Sequence, residues 1–96
     1  MDRSTIINAI KSNQKHLNRM GVRSLGLFGS LARNEATTVS DVDLLVELEE
    51  PVTFDRYMDV RIFLEDLLQC KVDLVIRDVV REPIRPYIEK DLIRVA

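Results

Sequence analysis

Two short motifs, separated by ten residues, hold the side chains in this sequence that are best suited to chemistry on phosphate groups. Gly29 and Ser30 end one apolar run, and Asp41 and Asp43 open another. Glycine lets a backbone approach a ligand closely, and a helix that begins at such a turn offers N–H groups and a positive dipole end to an anion. The Gly-Ser pair therefore predicts a phosphate cradle. The alternative is an ordinary strand-to-helix turn in which Ser30 is the N-cap.

Asp41 and Asp43 are spaced to lie on the same face of a strand, because side chains alternate with a period of two. Adjacent carboxylates repel one another unless a cation lies between them. Mg²⁺ takes oxygen ligands and is commonly shared between one or two carboxylates and substrate phosphates. The spacing thus predicts a magnesium site, with two solvated aspartates at a strand entry as the alternative. Ser40, directly before the pair, is predicted to cap the turn into the strand.

A third carboxylate and an arginine fit the same chemistry. Asp73 lies inside the apolar run of residues 72–76, where an unpaired carboxylate is costly. On a strand adjacent to residues 41–48 it would lie near the other two, where it could ligate a metal ion or accept the proton of an attacking hydroxyl. Arg33, one turn after Ser30, could contact a phosphate or pair with the aspartates. The alternatives are an outward-facing aspartate on an edge strand and a surface charge on a helix.

The elements that position these residues follow from apolar periodicity. Ser4 and Thr53 are predicted N-caps, and Gly21 is a predicted C-terminal stop. The order helix, strand, turn, strand, helix, strand, helix indicates an α/β (α+β) domain with a small mixed β-sheet flanked by helices. The predicted helices cover residues 5–18, 31–34, 54–68 and 86–90, and the predicted strands cover residues 23–28, 41–48, 71–76 and 93–95.

Length and composition limit the classes of function. Ninety-six residues make a single domain, residues 1–96, with no room for a separate substrate domain. The formal charge of -2 gives no general attraction to nucleic acid or to an anionic membrane, so that any phosphate binding must be local. One cysteine, Cys70, excludes an internal disulfide and fits a reducing compartment. We therefore expect a cytoplasmic protein without a membrane span or direct nucleic acid binding.

The C-terminal tail carries arginines and apolar side chains whose roles the sequence leaves open. The arginines could contact phosphates or an acidic partner surface, although a solvated run of charge is the simpler interpretation. The apolar side chains could form a partner interface or close the domain's own core. The residues concerned are Arg77, Arg81, Arg85 and Arg94, and Ile84, Tyr87 and Ile88.

Three motifs together resemble the nucleotidyltransferases of the DNA polymerase β superfamily: G-S-x-A-R at residues 29–33, S-D-x-D-L-x-V at 40–46 and V-D-L-V at 72–75. The short chain and the ten-residue spacing resemble the minimal nucleotidyltransferase (MNT) branch of that superfamily. The resemblance implies a minimal polymerase-β-like nucleotidyltransferase fold. Members of this branch are commonly the antitoxin of a two-protein toxin–antitoxin module, and the toxin is a HEPN-domain ribonuclease.

The resemblance also implies roles for the motif residues. Gly29 and Ser30 would hold the triphosphate of ATP, and Arg33 would support that site. The implied nucleotide-binding residues are Gly29, Ser30, Arg33 and Ser40.

The three aspartates are the implied catalytic and metal-ligating residues. Asp41 and Asp43 would hold Mg²⁺, as two ions, which suits an in-line displacement. Asp73 would complete the triad of carboxylates and orient or deprotonate the acceptor.

The reaction implied is Mg²⁺-dependent transfer of AMP from ATP to a hydroxyl, a tyrosine of the HEPN toxin, with pyrophosphate leaving. The chain is too short to carry its own acceptor domain, so the partner would supply acceptor recognition within a hetero-oligomer. Two alternatives stay open: an antitoxin that neutralises its partner mainly by binding, and a nucleotidyltransferase acting on a small molecule.

Overall fold

A four-stranded sheet organises the part of the chain that the computed structural model describes, residues 2–33, 41–79 and 84–96. The α/β class with a small mixed sheet is therefore confirmed. The helices are α1 (Arg3–Ser12), α2 (Gln14–Arg19), α3 (Gly29–Ala32), α4 (Phe54–Leu68) and α5 (Ile84–Asp91). The strands are β1 (Val22–Phe28), β2 (Val42–Leu48), β3 (Val72–Ile76) and β4 (Ile93–Arg94), and a 3₁₀ turn, Arg77–Val79, follows β3.

The order of the strands brings three segment ends together. The sheet runs β3-β2-β1-β4, in which β1 is antiparallel to both β2 and β4, and β3 is parallel to β2. The start of β2 therefore lies beside the start of β3 and the end of β1. All three predicted motifs map to that one end of the sheet.

The two faces of β2 are unlike, as the alternation of side chains predicts. Val42, Leu44, Val46 and Leu48 are 0–3% exposed and pack in one apolar cluster with side chains of α1, α2 and α4. The opposite face carries Asp43, Leu45 and Glu47. Ile88 of α5 is buried near Leu45, outside the main cluster, so that α5 covers only the middle of this second face. Ile88 thus closes the domain's own fold, whereas Tyr87 is 76% exposed.

The first helical segment differs from its prediction at the N-cap and in an internal break. Its N-cap is Asp2, whose carboxylate accepts from the N–H of Thr5 at 2.9 Å, and not Ser4. The helix also stops at Ser12 and restarts as α2, because the amide of Asn13 turns back to the Ala9 carbonyl at 2.8 Å and its backbone leaves helical geometry. The C-terminal stop at Gly21, with φ of +94°, is confirmed.

The exposed edge of β3 is closed by side chains of α4. The carbonyl of Lys71, just before β3, accepts from the Val42 N–H. In a parallel ladder this leaves the N–H of Val72 and the carbonyl of Leu74 pointing away from β2. The Tyr57 hydroxyl donates to the Leu74 carbonyl at 2.7 Å, and the Glu65 carboxylate accepts from the Val72 N–H at 3.2 Å. These bonds occupy groups that would otherwise be available for pairing with another strand. Helix α4 begins after the predicted cap Thr53, which accepts from the Arg56 N–H at 3.1 Å.

We expect Tyr57→Phe to lower the free energy of unfolding by about 1–2 kcal/mol, because the partly buried Leu74 carbonyl at the edge of β3 loses its hydrogen-bond donor. Chemical denaturation measures the change. Tyr87→Phe is the matched control, since that hydroxyl lies on a side chain that is 76% exposed. Equal effects of the two substitutions would contradict the assignment of the Tyr57 hydroxyl to the edge of the sheet.

None of the helices within the described ranges is both long and apolar enough to span a membrane.

Candidate active site

Asp43 and Asp73 lie opposite each other on neighbouring strands. They are register partners in the parallel β2–β3 ladder, and Phe28 pairs with Asp43 on the other side. Neighbouring strands are about 4.8 Å apart, so the two carboxylates leave the same face of the sheet side by side. Asp41 lies just before β2, one residue before the start of the strand. The structure therefore brings the three predicted aspartates to one end of the open face.

The pKa of Asp43 is raised by burial and by its two acidic neighbours. Partial burial raises the pKa of its carboxyl above the ordinary value, and the charges of Asp73 and Asp41 raise it further. A hydrogen bond between the Asp43 and Asp73 carboxyls acts in the same direction, whereas the nearby guanidinium of Arg33 opposes it. The fully ionised cluster is thus unfavourable without a cation, which is the condition that a metal ion relieves.

Gly29 makes the closest approach to these carboxylates. Its φ is +77°, a left-handed conformation that favours glycine. A Cβ added at this position would lie 2.9 Å from Cγ of Asp43 and would overlap its Oδ2. The group that lies against Gly29 in the structure is the Asp43 carboxylate of the chain itself. The predicted approach of a phosphate to Gly29 stays a prediction.

Helix α3 holds the Gly-Ser motif, and it differs from the prediction. It covers Gly29–Ala32, its N-cap position is Phe28, and Ser30 lies inside the turn without serving as the cap. The alternative reading of Ser30 as an N-cap is therefore wrong. Because α3 is a single turn, its dipole is small, and phosphate binding would depend mainly on the open backbone at Gly29 and on side chains.

Two arginines tie α3 to the rest of the domain. Arg3 of α1 donates to the Ala32 carbonyl at 2.8 Å. Arg33, just after α3, donates to the Asp91 carboxylate of α5 at 2.9 Å, with side chains 43% and 19% exposed, respectively. The sequence left open whether Arg33 contacts a phosphate or pairs with the motif aspartates, whereas this ion pair is with Asp91, which lies outside the motifs. From this position Arg33 still acts electrostatically on Asp43.

Asp73 is placed as predicted, but one premise behind it is wrong. The apolar neighbours suggested a buried carboxylate, whereas β3 is an edge strand and Asp73 is exposed. Helix α5 covers Leu45 and leaves the face of Asp73 open. The Asp73 carboxylate therefore stays in contact with solvent and bears no desolvation cost. Its role as a triad member therefore depends on its register with Asp43. Ser40 lies outside the described residues.

Asp91 is the site residue that the sequence argument missed. It lies 58 residues from Arg33 along the chain, in the last turn of a charged helix, and it belongs to none of the motifs. A local pattern carries no signal for such a pairing. Only the packing of α5 over the sheet brings the two side chains together.

The donor set fits Mg²⁺ that is completed by a substrate. Within the described ranges, no three His, Cys, Asp or Glu side chains are grouped tightly enough to hold a metal ion by themselves. Mg²⁺ does not require such a cage, because it usually keeps waters and takes one or two carboxylates together with substrate phosphates. Paired carboxylate oxygens beside the backbone of Gly29 are suited to that kind of shared site, because hard oxygen donors are the ligands that Mg²⁺ prefers.

A comparison with protein families gives an independent result. Residues 3–94 match the family model described as "Nucleotidyltransferase domain". The chain is 35% identical over 91 residues to the protein adenylyltransferase MntA of Thermococcus cleftensis, which covers 94% of this chain and 92% of that protein.

Solved structures give the same fold. A structure described as a minimal nucleotidyltransferase superimposes with a TM-score of 0.84 at 32% identity, over 97% of this chain and 95% of the other. A second match is to one chain of a Shewanella oneidensis structure, a tri-AMPylated HEPN toxin in complex with the MNT antitoxin. It superimposes with a TM-score of 0.68 at 17% identity, over 98% of this chain and 71% of the other. The predicted minimal nucleotidyltransferase fold is thereby confirmed.

Proposed function

The chain belongs to the nucleotidyltransferase-domain family and is a nucleotidyltransferase enzyme, and from this we propose that it transfers AMP from ATP to a tyrosine hydroxyl of a HEPN-domain toxin and so acts as its antitoxin. The observation that carries the proposal is the in-register pair Asp43 and Asp73, with the Gly29 backbone against the Asp43 carboxylate. The relative from Thermococcus cleftensis is named for transfer to protein, which supports a protein acceptor.

The nucleotide would lie across the end of the sheet where these residues meet. Asp41 and Asp43 would hold Mg²⁺, which supplies neutralisation of phosphate charge and polarisation of the reacting phosphoryl group when it is bound. The backbone at Gly29 and the hydroxyl of Ser30 receive the triphosphate. Arg33 adds a guanidinium whose planar fork suits phosphate oxygens, and Asp91 holds that fork at the mouth of the site.

Asp73 receives the acceptor. Its exposed carboxylate, beside Asp43, accepts a hydrogen bond from the incoming hydroxyl and takes its proton as the oxygen attacks the α-phosphorus. One P–O bond forms to the acceptor oxygen, and the bond between the α-phosphorus and the bridging oxygen of pyrophosphate breaks. Pyrophosphate leaves with the bonding electrons, and the proton passes from Asp73 to solvent.

The shape of the domain supports acceptor recognition by a partner protein. Asp73 is exposed on the open face of the sheet, and no second domain stands over it within residues 2–33, 41–79 and 84–96. A complex of a tri-AMPylated HEPN toxin with an MNT antitoxin is the precedent for the partner and for the hetero-oligomer. A toxin side chain presented to the open face would complete the site.

The test is co-incubation of the purified chain with a HEPN-domain protein, ATP and Mg²⁺, followed by intact mass measurement. We expect the HEPN protein to gain one or more AMP units, and peptide mapping to place them on a tyrosine. Asp73→Asn is expected to abolish the gain. Asp59→Asn, which removes an exposed aspartate of α4 outside the site, is the matched control and should leave the gain unchanged.

Neutralisation of the toxin without any mass gain would overturn the catalytic proposal in favour of binding alone. That second function is favoured by one observation: Phe54 and Tyr87 are 70% and 76% exposed, and side chains of this kind often anchor protein interfaces. The two functions separate cleanly, because Asp73→Asn would leave neutralisation by binding intact. A gain of AMP on an added small molecule, with none on the protein, would instead indicate a small-molecule acceptor.

A further inference from the structure

A second cleft lies on the same open face of the sheet, away from the three aspartates. It has a volume of about 280 Å³, close to the lower end of the range typical of small-molecule sites, which is about 300–1,000 Å³. Glu47 marks its position on β2, four residues after Asp43 and therefore roughly 13 Å along the strand. Leu45 lies between the two sites, under Ile88 of α5. The cleft is thus separated from the transfer site by the helix.

Three arginines from three separate parts of the chain line this cleft. Arg23 comes from β1, Arg77 from the turn after β3 and Arg94 from β4. The side chains of Arg23 and Arg77 make no hydrogen bond or ion pair to any described residue, and Arg94 donates through Nε to the Ala96 carbonyl at 3.1 Å. In a chain whose formal charge is -2, three guanidinium groups around one cavity are held together against their mutual repulsion.

One carboxylate offsets part of this charge. Glu47 lines the same cleft, and the Ser24 hydroxyl lies 3.5 Å from its Oε1. Three positive charges and one negative charge leave an excess of two, which matches a dianionic phosphate monoester. The guanidinium fork recognises phosphate oxygens in pairs, and with more directional bonding than an ammonium provides.

The remainder of the lining is mainly apolar. Leu25, Leu45 and Leu92 contribute to it, and the Leu92 side chain packs over the backbone of Gly26. A planar ring can lie against the apolar side chains while a phosphate attached to it reaches the arginines. A nucleoside monophosphate combines one dianionic phosphate with one ring system and fits this combination of charge and apolar surface.

We propose that the cleft lined by Arg23, Arg77 and Arg94 is a second binding site of this protein, for the phosphate of a nucleoside monophosphate. The site is independent of the transfer chemistry and goes beyond the proposed function. It also gives a role to Arg77 and Arg94, which the sequence left as phosphate ligands, contacts to an acidic partner surface or solvated charges. The arginines are the binding residues, and Leu45 and Leu92 support the ring.

The experiment is calorimetric titration of the full chain with AMP in the presence of EDTA, so that a divalent cation does not load the transfer site. We expect saturable one-to-one binding that weakens with rising salt. Arg77→Gln and Arg23→Gln, tested separately, should each weaken binding by about tenfold or more. Arg19→Gln removes the same charge from the end of α2, outside the cleft, and should change the affinity less than about twofold.

Two further probes separate the sources of affinity. Inorganic phosphate should compete with AMP, whereas adenosine should bind at least about tenfold more weakly than AMP. Loss of AMP affinity in Arg77→Gln and Arg23→Gln distinguishes this site from the transfer site whether or not the chain proves to transfer AMP, because both residues line the second cleft, away from the three aspartates. Absence of saturable AMP binding up to about 5 mM would overturn the proposal. Retained affinity in both arginine variants, equal binding of adenosine, or preferential binding of an acidic peptide would each overturn it as well.

Discussion

Asp43→Asn is expected to reduce AMP transfer by more than about 100-fold while leaving the fold intact, because loss of a residue that merely supports a metal ligand already costs about 10–100-fold. Asp43 lies at the centre of the site. It faces Asp73 across the β2–β3 ladder, its carboxylate lies against the backbone of Gly29, and the guanidinium of Arg33 opposes the rise in its pKa. The amide is isosteric but cannot neutralise a cation. Initial rates of AMP incorporation, at saturating ATP and Mg²⁺, measure the effect.

Asp43→Asn, which is expected to lower activity, should raise the stability of the folded chain when no cation is bound. The pKa of Asp43 is raised in the folded chain, so the folded state binds a proton more tightly than the unfolded state does. Stability is therefore lost as the pH rises from the ordinary carboxyl pKa through the raised one. In EDTA, Asp43→Asn should match or exceed the wild-type Tm from about pH 5 upward, and the difference should shrink in acid. Asp43 is only partly buried, so we expect a modest difference.

Added Mg²⁺ reverses this ranking. A cation that binds only the folded chain raises its Tm, and we expect this rise for the wild type and not for Asp43→Asn. Thermal denaturation at constant ionic strength, with and without the metal, measures it. An equal response of both proteins to Mg²⁺ would place the cation elsewhere.

Gly29→Ala is expected to remove activity and stability together. At φ of +77° an alanine costs about 1–2 kcal/mol in backbone strain, and its Cβ would overlap the Asp43 carboxylate. The carboxylate must then move from its place beside Asp73. For a domain of this size, about 1 kcal/mol corresponds to a Tm decrease of about 4–8 °C. We expect AMP transfer per folded molecule to fall by a factor of about 100, on the scale of losing Asp43 itself.

Gly21→Ala separates these two effects. Gly21 has φ of +94°, and the nearest atoms to an added Cβ belong to the flexible end of Arg56, at 3.0 Å. The Gly21→Ala protein should lose similar stability through backbone strain and keep its transfer rate. Gly21 lies just before β1, at the opposite end of that strand from Phe28. If Gly29→Ala loses only stability, the close approach at Gly29 is structural and has no part in the reaction.

The sequence predicted the end of the sheet where the motifs meet because its signals there are local. Alternation along residues 42–48 places the aspartates on one face, and parallel pairing with residues 72–76 then brings Asp73 to that face. The exact register, Asp43 against Asp73, was not available from alternation, since a shift of two residues would preserve the pattern. Backbone hydrogen bonds such as that from Val42 to Lys71 fix it.

Other features depend on contacts between distant residues. The break at Asn13 arises from one side-chain bond to Ala9, while the apolar periodicity continues through it and hides the break. The pairing of Arg33 with Asp91 depends on how α5 packs on the domain, and Arg94 reaches the cleft because β4 pairs with β1 at the edge of the sheet. Periodicity reports the face of an element, and it carries no information on which distant element will cover that face.

The alternation along β2 has a consequence for how such a protein can diverge. The core side chains and the candidate site side chains occupy opposite faces of one strand, so each set can be exchanged without disturbing the other. Substitutions in the core would change stability, and substitutions on the open face would change the candidate site. A single inserted residue within β2 is the exception, because it would turn the aspartates toward the core and the valines toward solvent. Length changes in descendants should therefore accumulate in the connections, with β2 conserved in length even where its residues differ.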